Sequence, residues 1–106
     1  MQIKDLTRLV RFSEEKMQKI EVFPSPYMRV DLYTLLPGQA QRPHVHPEAD
    51  KVYLVLEGEV VLVVDDEEAL LPDGSAGYAP AGSRHGVKNA SANPAVLFVV
   101  MAPKAG

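Results

Sequence analysis

Three histidines, His44, His46 and His85, are the side chains of this 106-residue sequence best suited to hold a metal ion, and no other histidine is present. His44 and His46 stand two apart in Arg42-Pro-His-Val-His-Pro47. On a strand, period-two alternation puts both imidazoles on one face. Two imidazoles so placed can reach one metal ion or one buried ligand. Surface strands carry such pairs as well, so the pair alone does not decide between chemistry and a solvated face. Cysteine is absent, which excludes disulfides, iron–sulfur ligation and thiol catalysis.

The elements that must position these residues read as strands. Met28–Leu36 is rich in strand formers and closes on Pro37-Gly38; Lys51–Glu57 and Glu59–Val64 flank Gly58, which marks a bend or bulge. Asp65-Asp66 makes a tight turn into Glu67–Leu71, and Pro72-Asp73-Gly74 is a strong turn. Short strands follow around Ala76–Ala79 and His85–Lys88, and a long one at Ala95–Ala102. Many short strands with Gly and Pro between them and little helical periodicity predict an all-β barrel or sandwich. In the first segment, Ser13 is a possible N-cap followed by acidic residues, which suggests a short helix over Ser13–Ile20; an irregular arm is the alternative. The two prolines of Phe23-Pro-Ser-Pro-Tyr27 end any helix there. We therefore expect an N-terminal arm over residues 1–27 and a single barrel domain over residues 28–106.

The spacing of the histidines is more specific than the histidines themselves. Five residues separate Gly38 from His44-Val-His46, and Gly58 follows on the next strand. Later come Gly74, five residues, Pro80-Ala-Gly82, two residues, His85, three residues and Asn89. This resembles the two-part signature of the cupin superfamily, whose second part is met at all five fixed positions. The resemblance runs from about Met28 to Met101 and is closest to small single-domain bacterial cupins. It implies a double-stranded β-helix, or jelly-roll barrel, with the histidines pointing into its mouth. It also implies a bound divalent metal in many members and frequent homodimers. Activities across the superfamily include dioxygenases, isomerases and decarboxylases, so the fold selects no reaction.

The metal site that the resemblance implies has three histidines and a glutamate. Here the glutamate position, five residues after His46 and seven before Gly58, is occupied by Lys51. Asp50 is the neighbouring carboxylate, but adjacent strand residues face opposite ways. Glu48 in the loop and Asp31 on the preceding strand are the other donors within reach. An ammonium about 4 Å from a cation is repelled by roughly 1 kcal/mol in water and several times more when partly buried. Such a lysine lowers its own pKa, swings away or weakens the metal. Lys51 is accordingly a candidate catalytic group, orienting a carboxylate or exchanging a proton; the plain alternative is a side chain lying along the rim beside Glu48 or Asp50. Three neutral imidazoles still suffice for a zinc, manganese, iron, nickel or copper ion with positions left open.

Tyr53, Tyr78, Met28, Phe98 and Met101 are the candidate pocket residues, with ordinary core packing as the alternative for each. Gln39 and Gln41 flank the histidine strand, where surface exposure competes with a supporting role. The glycines and prolines of the signature read as fold residues.

The net charge is −3 and the basic residues form no block, which argues against nucleic acid or an anionic membrane as partner. The charges in Met1–Phe12 break any apolar signal core, and the longest apolar run, Ala95–Ala102, is too short to span a bilayer as a helix. We expect a cytoplasmic protein, a homodimer, and a small-molecule ligand that is anionic, bound with a metal or, alternatively, by a metal-free binding or sensing module.

Overall fold

The computed structural model describes residues 1–104; Ala105 and Gly106, the end of the expected barrel segment, lie outside the described residues. After a four-residue helix, α1 (Leu6–Leu9), come nine strands: β1 (Gln18–Phe23), β2 (Arg29–Leu35), β3 (Ala40–Val45), β4 (Asp50–Glu57), β5 (Val60–Val64), β6 (Glu67–Leu71), β7 (Ala76–Ala79), β8 (Arg84–Lys88) and β9 (Ala95–Ala102). They form two sheets, ordered β1-β2-β9-β4-β7 and β3-β8-β5-β6, and every pairing between them is antiparallel. This is the jelly-roll barrel that the residue pattern and the signature lead one to expect. Among the described residues no helix is long and apolar enough to cross a membrane.

The central strand β9 shows why the two sheets close. Its alternate residues Ala95, Leu97 and Val99 face the barrel interior with Tyr33, Leu35, Tyr53 and Val55 of the same sheet and Val60, Leu62, Leu71 and Val87 of the other. Its intervening Val96, Phe98 and Val100 belong to a second apolar cluster with Ile20, Val22, Val30 and Leu32. A strand apolar on both faces requires cover on both. The outer cover comes from the N-terminal segment, whose Leu6, Leu9 and Val10 pack on that second cluster.

The segment ahead of the barrel departs from the helix suggested over Ser13–Ile20. The Ser13 hydroxyl accepts from the backbone N–H of Glu15 at 3.2 Å, a local turn rather than a cap. From Gln18 the chain pairs with β2, and the period-two residues Ile20 and Val22 are buried. Alternation wins because the β2 edge supplies both backbone partners and apolar cover. β1, in the N-terminal segment, and β2 are neighbours in one sheet. Two further bonds fasten the segment: Thr34 Oγ1 donates to the Arg11 carbonyl at 2.6 Å and Gln39 Nε2 donates to the Ser13 carbonyl at 2.6 Å. Gln39 is thus a tether for the N-terminal segment and stands apart from the histidines.

Candidate metal centre

β3 and β8 bring the histidines together. His44 and His85 are direct cross-strand partners, and their ring centroids lie 4.8 Å apart. His46 follows the end of β3 on the same face, with its centroid 4.5 Å from that of His44 and 5.5 Å from that of His85. The pairing slips between Gln41 and His44, and at this irregularity the β3 backbone runs close over Gly86. A Cβ at Gly86 would sit 2.6 Å from the Gln41 carbonyl oxygen and 2.8 Å from Pro43 N, so only glycine permits the approach.

The turn ahead of His85 is locked to the same site. The N–H of Gly82, a residue with φ of +83°, donates to the His46 carbonyl at 2.9 Å. Ala81 N–H donates to Asp50 Oδ1 at 2.8 Å, and Ser83 Oγ donates to the Pro80 carbonyl at 2.6 Å. Asp50 is therefore turned outward, as strand alternation requires, and braces the turn instead of facing the histidines. Asn89, the last fixed residue of the signature, is fully buried and its amide donates to the Leu35 and Asn93 carbonyls, a structural role.

Each ring has a defined partner. His85 Nδ1 lies 3.1 Å from the Ser83 carbonyl and His44 Nδ1 lies 3.1 Å from the Arg42 carbonyl. A carbonyl only accepts, so both rings carry the proton on Nδ1 and present the Nε2 lone pair to the centre. A backbone carbonyl behind the ring is the usual orienting contact of a metal-ligating histidine. His44 Nε2 and His46 Nε2 are 2.7 Å apart, and with His44 protonated on Nδ1 the bond between them is donated by His46. His85 Nε2 is buried and has no hydrogen-bond partner among the described residues. An unsatisfied buried acceptor costs about 1–3 kcal/mol. One nitrogen from each ring falls within 4.8 Å of the others, so the donor set fits a single transition-metal ion. Burial lowers the pKa of all three imidazoles, with the positive charge of Lys51 acting in the same direction; His85 falls to about 4. Neutral imidazoles are the form that binds metal.

No carboxylate completes the cluster: among the described residues the converging donors are the three histidines, and Glu48 is exposed. Lys51 is 2% exposed, which removes the rim alternative. Its Nζ donates to Gln41 Oε1 at 3.2 Å and lies 5.0 Å from the ring centroids of both Tyr33 and Tyr53. Gln41, 8% exposed, also accepts from the Tyr53 hydroxyl at 3.3 Å and donates through Nε2 to Tyr33 Oη at 3.2 Å. Desolvation, with the charge of Lys19 behind it, lowers Lys51 to about 7.

Beside the histidines is a cavity of about 330 Å³ lined by Lys19, Arg29, Asp31, Tyr33, His46, Lys51, Val99 and Met101. Met101 is thus on the cavity wall, whereas Tyr53 is fully buried outside the lining, its ring centroid 6.4 Å from that of His85. The other expected pocket residues lie elsewhere. Tyr78 pairs with Val52 on the outward face of β4 and β7 and is 57% exposed. Met28 precedes β2 and is exposed, and Phe98 is one residue out of phase with Leu97 and Val99 and joins the outer cluster. Residue type suggested these three; the phase of each strand puts them outside. Lys19, Arg29 and Tyr33 were not singled out from the sequence, although Arg29, Asp31 and Tyr33 alternate on one strand. Phase on β2 is the signal available for Arg29 and Tyr33; Lys19 lies on β1.

A jelly-roll barrel with three inward histidines at its mouth defines the class. The model of the cupin domain matches residues 31–101, and the chain belongs to that family. It is 62% identical to the crystal structure of TT1209 from Thermus thermophilus, with a TM-score of 0.96 over 99% of this chain and 100% of that one. An RmlC-like cupin from Desulfovibrio desulfuricans superposes with a TM-score of 0.85 at 30% identity, covering 97% of each chain. Among curated proteins it is 34% identical over 71 residues to the tetracenomycin polyketide synthase protein TcmJ of Streptomyces glaucescens, 67% of this chain. The chain spans only 48% of TcmJ in that match.

Proposed function

We propose that His44, His46 and His85 hold one divalent transition-metal ion (zinc, manganese, iron, nickel or copper) and that the centre binds a small anionic ligand or substrate. The single observation behind this reading is the buried Nε2 of His85, which has no partner among the described residues, in a cluster whose three imidazoles each offer a nitrogen within 4.8 Å of the others. An ion there supplies a Lewis acid for a ligand oxygen, since three protein ligands leave positions open. The chain's own part is to orient the rings through the Ser83 and Arg42 carbonyls. We assign to Lys51 the role of orienting a carboxylate or exchanging a proton, supported by its burial at the cavity and a pKa near neutrality.

Lys51 in the carboxylate position favours a second reading, a metal-free binding or sensing module with the same ligand preference. Cobalt substitution separates the two. Chelator-treated protein given one equivalent of cobalt(II) is expected to gain the visible absorption of an imidazole-bound, low-coordinate ion, and His85→Ala to lack it. A spectrum indistinguishable from aqueous cobalt removes the metal reading and leaves the second. Two expectations carry over as proposals: a cytoplasmic location, and a homodimer over the outward face of β4 and β7. Support for the dimer comes from Val52, Leu56 and Tyr78, which expose 41%, 39% and 57% of their surface.

A further inference from the structure

Hydrogen-bonding groups around the cavity are unevenly matched. Lys51 is almost fully buried and uses one of its three N–H donors, on Gln41. The Tyr33 hydroxyl accepts from Gln41, and its own proton has no acceptor among the described residues. At the rim, Lys19 and Arg29 line the same space, and neither has a carboxylate within 4.0 Å among the described residues. Against these donors the lining holds a single carboxylate, Asp31, itself 6% exposed and without a side-chain hydrogen bond among the described residues. Three cationic side chains face one acid in a space that His46 also lines.

Lys51 and Tyr33 keep donors to spare beyond their bonds to Gln41, and Lys19 and Arg29 are exposed cations at the rim, so the spare donors of the cavity describe its ligand by complement. The excess of donors and positive charge calls for an anionic oxygen acceptor, and Arg beside Lys suits a planar carboxylate. Asp31 calls for the reverse, a hydroxyl that donates. Register places Arg29 and Lys51 opposite the same residue, Met101, on either side of it, so the two cations flank one point of the cavity floor. Lys19 is opposite Tyr33, and its Nζ stands 5.5 Å from that ring, at the other side of Asp31.

We infer that this cavity is a hydroxycarboxylate site: Arg29, Lys19 and Lys51 hold the carboxylate, Asp31 accepts from the hydroxyl, and the Tyr33 hydroxyl donates to a ligand oxygen. This deepens the reading of the centre as an anion site by giving the ligand's chemical class. It does not require the ion, because every group named belongs to the chain and lies outside the histidine cluster.

Calorimetric titration of the full-length, chelator-treated protein with lactate, propionate and inorganic phosphate tests it. Lactate and propionate share the carboxylate and differ at the hydroxyl. Lactate is expected to bind at least threefold more tightly than propionate, and Arg29→Met to weaken lactate at least tenfold. Arg29 is exposed, so its removal leaves the packing intact. Asp31→Asn is expected to abolish the preference for lactate. Equal affinity for lactate and propionate, tighter binding of phosphate than of either, or unchanged lactate binding in Arg29→Met overturns the inference. Because the titration contains no metal, its failure leaves the cobalt experiment standing, and the converse holds too.

Discussion

The ammonium of Lys51 is held by the side-chain oxygen of Gln41, 3.2 Å away, in the space where the cupin signature places a metal-binding glutamate. The same oxygen accepts from Tyr53, and the Gln41 amide donates to Tyr33, so one glutamine ties together Lys51, Tyr53 and Tyr33. Gln41→Leu leaves an ammonium and a phenol without an acceptor. Denaturant unfolding is expected to show a loss of about 2–3 kcal/mol. A stability equal to that of the parent would mean that Gln41 does not support Lys51.

Lys51 also fixes a pH dependence. Its pKa is about 7 in the folded chain and about 10.4 when exposed in the unfolded one. Between these values the unfolded state carries the proton and the folded state does not. Stability therefore rises with pH from about 7 towards 10 and lies on its lower plateau below 7. Above that window Tyr33, held up at about 12 by burial, works in the opposite direction. Lys51→Met is expected to be more stable than the parent by roughly 1–4 kcal/mol at pH 7, with the advantage shrinking as pH rises. A difference that does not change between pH 7 and 9.5 would contradict the burial of a titrating ammonium.

Restoring the carboxylate gives the complementary change. Lys51→Glu replaces a repelling charge with a donor at the family's ligand position. Metal affinity is expected to rise tenfold or more, read by competition with a chromophoric chelator. Unchanged or weaker affinity would show that this side chain does not face the ion.

Gly86 sets the distance between the two histidine strands. Gly86→Ala places a Cβ against the Gln41 carbonyl and the Pro43 nitrogen, pushing β3 off β8 and His44 away from His85. The expected cost is about 1–3 kcal/mol in stability, with metal affinity reduced about tenfold. Full affinity in this variant would mean that the pairing of β3 with β8 does not govern the cluster.

The barrel and the histidine cluster were legible in the sequence because spacing carries them: Gly74, Pro80, Gly82, His85 and Asn89 each do a local job that no other residue type does as well. Phe98, Tyr78 and Met28 show where the sequence is silent. Aromatic and thioether residues suit either face of a strand, and only the register of β9, β7 and β2 decides which one they take. Lys19 and Arg29 are ordinary exposed cations in one dimension. Lys19 becomes part of a site because β1 adds to the edge of the sheet beside β2, a tertiary pairing that no local signal in residues 13–20 announces, and Arg29 because β2 sets it opposite Met101 of β9. Gln41 is similar: a polar residue before the His-x-His pair reads as solvated until Tyr33, Lys51 and Tyr53 close around it.

Whether the three imidazoles form one metal centre is decided by titrating tag-free, chelator-treated protein with zinc, manganese, iron(II), nickel and copper in turn. At least one of them is expected to bind tightly at one ion per chain, with binding abolished in His85→Ala and the circular dichroism of the barrel retained. Failure of every ion to bind, or equal binding in His85→Ala, would contradict it.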